Sequence, residues 1–174
     1  MNKGEFLTRV SIWLAFGAYI AAAVTFALSR NRRGLLAVAR VAYTIACASL
    51  LIHILWAFHF YHQWSQLSAL RETARQTNEV TGLNWSGGLY VNYAVLIGWT
   101  VDVCWWWFRG LESYWTRPKW LTITWHAFLV FIIFNATIVF GHGAVRWAGL
   151  MVCVCWGLAA WAIARGPQRG TATL

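Results

Sequence analysis

Five stretches of about 20 mostly apolar residues recur along the chain at 11–28, 41–61, 89–108, 121–140 and 144–164, each the length a helix needs to cross a hydrocarbon layer about 30 Å thick. They hold a single acid, Asp102, and the two prolines, Pro118 and Pro167, fall outside all five, so unbroken helices are expected. With 60% hydrophobic and 11% charged residues, the chain carries about half the charge of a soluble domain, which excludes an ordinary water-soluble globule. The fold expected is an all-α integral membrane protein: one transmembrane domain over 1–174, built as a bundle of five helices with a lipid bilayer as its first partner.

The formal charge of +9 would point to nucleic acid in a soluble protein, but here the cations sit between apolar runs and serve topology instead, so no nucleic-acid partner is expected. Arg30, Arg32, Arg33, Arg40, Arg109, Arg117, Lys119, Arg165 and Arg169 fall on one side, against Lys3, Arg9, Arg71, Arg75 and Arg146 on the other. The richer side is cytoplasmic by the positive-inside bias, which puts the N-terminus outside and the C-terminus in the cytoplasm. The first stretch resembles a secretory leader, yet the Arg30, Arg32 and Arg33 cluster directly after it resists export, so a retained signal anchor is expected.

The loop 62–88 is the only long connection and faces outward on this topology. Leu67, Leu70 and Ala74 repeat at helical spacing within it, Ser65 suits the N-cap and Gly82 the C-terminal stop, which predicts a short helix on the membrane surface. Gly141, His142 and Gly143 make so tight a turn that spans four and five are antiparallel neighbours. Among 14 tryptophans, Trp64, Trp85 and Trp147 fall at the outer boundary and Trp105, Trp106, Trp107, Trp115 and Trp120 at the inner one, where an indole reaches water while its ring stays in lipid. Trp56, Trp99 and Trp156 lie deeper. Cys47, Cys104, Cys153 and Cys155 sit inside apolar runs without metal-type spacing and read as small buried hydrophobes.

Ionisable groups inside spans are costly and therefore candidates for function. Asp102 and His126 lie at matching depth near the inner ends of spans three and four, as an interhelical polar clasp worth about 1 kcal/mol or as half of a proton path; a clasp predicts a mild effect of Asp102→Asn. At the outer side, His53, His59 and His62 close span two and His142 closes span four. His59 and His62, three apart on one helix, share a face. Histidines from two helices at one depth suit the axial ligation of a b-type haem, with His53, His59, His62 and His142 as cofactor-binding candidates. The same imidazoles with Glu72 or Glu79 from the surface helix form a donor set for a divalent transition metal, with His59, His62 and His142 as its core. Interfacial histidines bonded only to water and headgroups are the simpler explanation of the pattern. Asn135, Asn92 and His142 read as a polar seam for helix association.

The segment AFHFYHQWSQLSALRETARQTNEVTGLNWSGGLYVNYAVL, with the later WHAFLVFIIFNATIVFGHG, resembles an uncharacterised family of small polytopic bacterial inner-membrane proteins over the middle and last thirds of the chain. The resemblance implies an inner-membrane location; it brings no activity, cofactor or catalytic residue. Three functional readings follow. The first is a non-enzymatic subunit that packs against membrane-protein partners or its own copies, because little chain lies outside the spans. The second is a haem b electron-transfer subunit. The third is a metal-dependent membrane enzyme with an outward His/Glu site.

Overall fold

The computed structural model describes residues 2–29, 32–140 and 143–165, excluding the side chains of Ala144, Ala148, Cys155 and 159–165. Every regular element among them is helical: α1 (Lys3–Leu28), α2 (Arg33–Tyr61), α3 (Gln66–Thr81), α4 (Gly88–Phe108), the single turn α5 (Ser113–Thr116), α6 (Lys119–Phe134) and α7 (Ala144–Arg165). Three helical stretches, α1, α2 and 119–139, are long and apolar enough to cross a membrane. The 21-residue α4 is also long, but it carries Asp102 and Asn92 among tyrosines and tryptophans with polar tips, which dilute its apolar character.

Local chemistry sets the ends of these elements. Asn2 caps α1 by accepting from the Gly4 N–H at 3.3 Å. The turn from α2 to α3 needs left-handed backbone at Gln63 (φ 48°) and Trp64 (φ 63°), a conformation uncommon outside glycine. Ser65 then accepts the Ser68 N–H at 3.2 Å, and α3 stops at Gly82, where φ is 77°, free of the Cβ penalty that other residues would meet there. The short helix predicted between spans two and three is therefore present, with both of its expected caps.

α1 and α2 form the most extensive pairing, while α7 packs on α1 and α6, and α4 packs on α2 and α3. Small residues allow the first pairing to be close: α1 buries Ser11, Ala15 and Ala22, and α2 buries Ala39, Ala46 and Ser49. Aromatic side chains fill the centre, with Tyr19, Tyr43, Trp99, Trp106 and Tyr114 all buried.

Three expectations change. First, the helix from Lys119 runs on without a break but changes from α to π over Asn135–Val139, where the Phe140 N–H bonds the Asn135 carbonyl at 3.0 Å. No proline is involved. Asn135 Nδ2 donates to the Phe131 carbonyl at 2.7 Å and Thr137 Oγ1 to the Ile133 carbonyl at 2.6 Å, and such side-chain bonds compete with the backbone ladder. Asn135 is thereby occupied within its own helix rather than in a seam with Asn92, and His142 lies outside the described residues. Second, Trp106 is no belt residue: it is buried, its ring lies tilted against that of Tyr114 at 4.1 Å, and it donates Nε1–H to the Leu111 carbonyl at 3.0 Å. Third, Cys47 is buried but Cys104 is exposed and Cys153 half-buried, because Cys104 faces outward from α4.

Candidate functional site

Polar side chains from five helices converge at one point. Asp102 on α4 accepts three bonds: Oδ1 from Arg117 Nη1 at 2.5 Å, and Oδ2 from the Tyr43 hydroxyl at 2.9 Å and the Tyr114 hydroxyl at 2.7 Å. Arg117 precedes Pro118 at the entry to α6, and its side chain is only 3% exposed. Its Nε donates to Thr122 Oγ1 at 2.7 Å, its guanidinium lies 3.7 Å from the centre of the Tyr114 ring, and its Nη2 is buried without a partner. A charge so placed is tolerable only because a carboxylate and an aromatic face both meet it.

His126 on α6 joins this group through Tyr114 and not directly. Tyr114 Oη is 3.0 Å from His126 Nε2, and Tyr19 Oη is 3.1 Å from His126 Nδ1. The donor inventory fixes the directions. Tyr114 has one hydroxyl hydrogen and gives it to Asp102, so His126 Nε2 carries the ring hydrogen and donates to Tyr114 Oη. In the neutral ring Nδ1 then carries the lone pair and accepts from the Tyr19 hydroxyl. Trp125 Nε1–H completes the set by donating to Tyr43 Oη at 2.8 Å. The chain from Trp125 through Tyr43 and the chain from Tyr19 through His126 and Tyr114 both end on the Asp102 carboxylate, and α1, α2, α4, α5 and α6 each supply a member. Burial, reinforced by the neighbouring carboxylate, holds the Tyr114 phenol well above its usual range.

The direct Asp102–His126 pair expected from depth matching is therefore corrected to a bridged one, with Arg117 as the true counter-ion. Arg117, Tyr19, Tyr43 and Tyr114 were not among the residues singled out from the sequence. A phenol inside an apolar run is itself a signal, since a buried Tyr hydroxyl finds a partner. Arg117 looked like one more topological cation.

The outer histidines do not gather. α2 ends at Tyr61 with His62 as its C-cap, and the His59 and His62 imidazoles take different partners. His59 is exposed and packs on Phe60 and Trp64 at ring distances of 4.7 and 6.1 Å. His62 is half-buried, with Nδ1 3.3 Å from Ser68 Oγ. His53 is turned to α1, with Nδ1 2.9 Å from the Thr8 carbonyl. His142 lies outside the described residues. Glu72 and Glu79 are held by a common cation: Arg75 Nε donates to Glu72 at 2.9 Å and Nη1 pairs with Glu79. Among the described residues no three His, Cys, Asp or Glu side chains come together so as to hold a metal ion.

The Arg75 hydrogen bond, opposed by a little desolvation and aided by Gln76, lowers the Glu72 carboxyl to about 2. A depressed acid contributes stability above its unfolded value near 4.3, and that contribution is lost as pH falls toward about 2. In detergent micelles the Glu72 carboxyl resonance is expected to titrate near that low value, and Arg75→Gln to move its midpoint toward the ordinary one. A midpoint unaffected by Arg75→Gln would contradict the pairing.

Tyr19, at one end of the inner chain, also lines a cavity of about 450 Å³ shared with His53, His62 and Glu72. Comparison of the chain with family models, with curated proteins and with solved structures finds no match.

Proposed function

We propose that this chain is a small integral protein of a bacterial inner membrane, crossing it five times with its N-terminus outside and its C-terminus in the cytoplasm, and that it serves as a non-enzymatic subunit of a larger membrane assembly. The observation that carries the reading is that the buried cluster bonds to itself. Both oxygens of Asp102 and both ring nitrogens of His126 are engaged by protein partners from several helices. Polar groups paired in this way tie helices together.

The Arg117 pairing supports α4 as a span, because its one acid is neutralised inside the bundle. At 21 residues α4 is about 31 Å long, enough for the hydrocarbon layer, and α7 has 22 residues. Apolar surface supports the packing role. Only 17% of the apolar window of 119–139 is buried within the chain, and Leu121, Ile123, Phe131 and Phe134 remain exposed, so most of that helix is left for lipid or for another protein.

Extraction in a mild detergent followed by native mass measurement tests the reading. The chain is expected in a species heavier than one 19.8 kDa protomer, in fixed ratio to other membrane chains or to its own copies. A stable, monodisperse monomer under the mildest conditions that extract it would contradict the subunit role.

A further inference from the structure

We propose that the cavity beneath α3 binds a neutral, ring-bearing hydroxyl compound of the phenol or hydroquinone class, whose hydroxyl donates to His53 Nε2. The cavity, about 450 Å³ and walled by α1, α2, α3, α4 and α6, lies within the size range of small-ligand sites. His53 supplies its polar anchor. Nδ1 is 2.9 Å from the Thr8 carbonyl, which can only accept, so Nδ1 carries the hydrogen and Nε2 of the neutral ring is an acceptor. No described residue bonds that nitrogen, and Ser11 Oγ approaches Nδ1 instead, at 3.5 Å. An unused acceptor on the wall of a mostly apolar cavity is complementary to a ligand with one donor on an apolar frame.

The remaining wall narrows the class. Phe16, Phe58, Tyr93 and Trp99 contribute aromatic side chains from three helices, which favour a ring in offset or edge contact. Glu72 is the one formal charge among the described lining residues. Its carboxylate is already paired with Arg75, so it offers no free counter-ion to a cation, and no Lys or Arg in the wall offers one to an anion. The occupant is therefore uncharged. This inference goes beyond the subunit reading and does not depend on it.

The test titrates the purified chain in lipid nanodiscs with 4-decylphenol and with 4-decylanisole, its methyl ether, which lacks the donor. Saturable binding of one phenol per chain is expected, about fivefold tighter than the ether. His53→Leu is expected to abolish that preference, and Leu50→Trp, which fills the cavity, to abolish binding of both compounds. Equal affinity for the two compounds, a preference that survives His53→Leu, or a phospholipid chain that 4-decylphenol cannot displace would each overturn the proposal. The comparison on the unaltered protein decides the matter even where a variant fails to fold.

Discussion

Asp102→Asn is expected to cost about 3–5 kcal/mol of stability, several times the roughly 1 kcal/mol expected of a simple interhelical polar clasp. The difference lies in Arg117, whose side chain is 3% exposed. Asparagine removes the charge that Arg117 needs and leaves the guanidinium buried and uncompensated. It also mismatches the hydrogen bonds. Arg117, Tyr43 and Tyr114 all donate to Asp102, so the Nδ2 amide of asparagine faces donors where Asp102 offered an acceptor. Removing both charges, as in Asp102→Leu with Arg117→Met, leaves no unpaired ion. The double variant is therefore expected to lose much less than the sum of its singles, read as unfolding midpoints in detergent. Additive losses would mean that the two residues do not sense each other.

Gly149→Ala is the second large effect. A Cβ built on Gly149 would lie 1.8 Å from Thr137 Oγ1 and 2.4 Å from Thr137 Cβ. Rotation about χ1 moves the oxygen but not Cβ, so α7 has to shift away from the π-helical turn, at a cost of about 1–3 kcal/mol. The two contacts predict an order of rescue. Thr137→Ala removes the oxygen and restores part of the loss, whereas Thr137→Gly removes both contacts and restores more, less the cost of glycine in a helical segment. Thermal midpoints of the four proteins give that order; full recovery with Thr137→Ala would contradict the packing described.

The sequence made part of this legible, for identifiable reasons. The ends of α3 were readable because Ser65 and Gly82 act through their own local chemistry. Asp102 and His126 were readable as partners in depth, since lone ionisable groups in apolar runs need company and helical rise converts position into depth. Tyr114 and Arg117 were not, because both lie in the connection between α4 and α6, where the folded path of a loop decides whether a side chain turns outward or inward. The π-helical turn is not signalled by any proline, because the Asn135 and Thr137 side chains compete for backbone carbonyls without one. The histidine cluster is not formed because each imidazole meets its own partner, His59 the Trp64 ring, His62 the Ser68 hydroxyl and His53 the Thr8 carbonyl, and spacing along one helix does not report such partners.

The central claim, that these helices cross a bilayer with the α3 segment outside and the α5 segment inside, is tested most directly by thiol labelling. Asn78→Cys on α3 and Thr116→Cys on α5, each in a cysteine-free background, are exposed to a membrane-impermeant maleimide in intact spheroplasts. The account predicts labelling of Asn78→Cys before lysis and of Thr116→Cys only after it. Labelling of both from the same side, or in the reverse order, would contradict it.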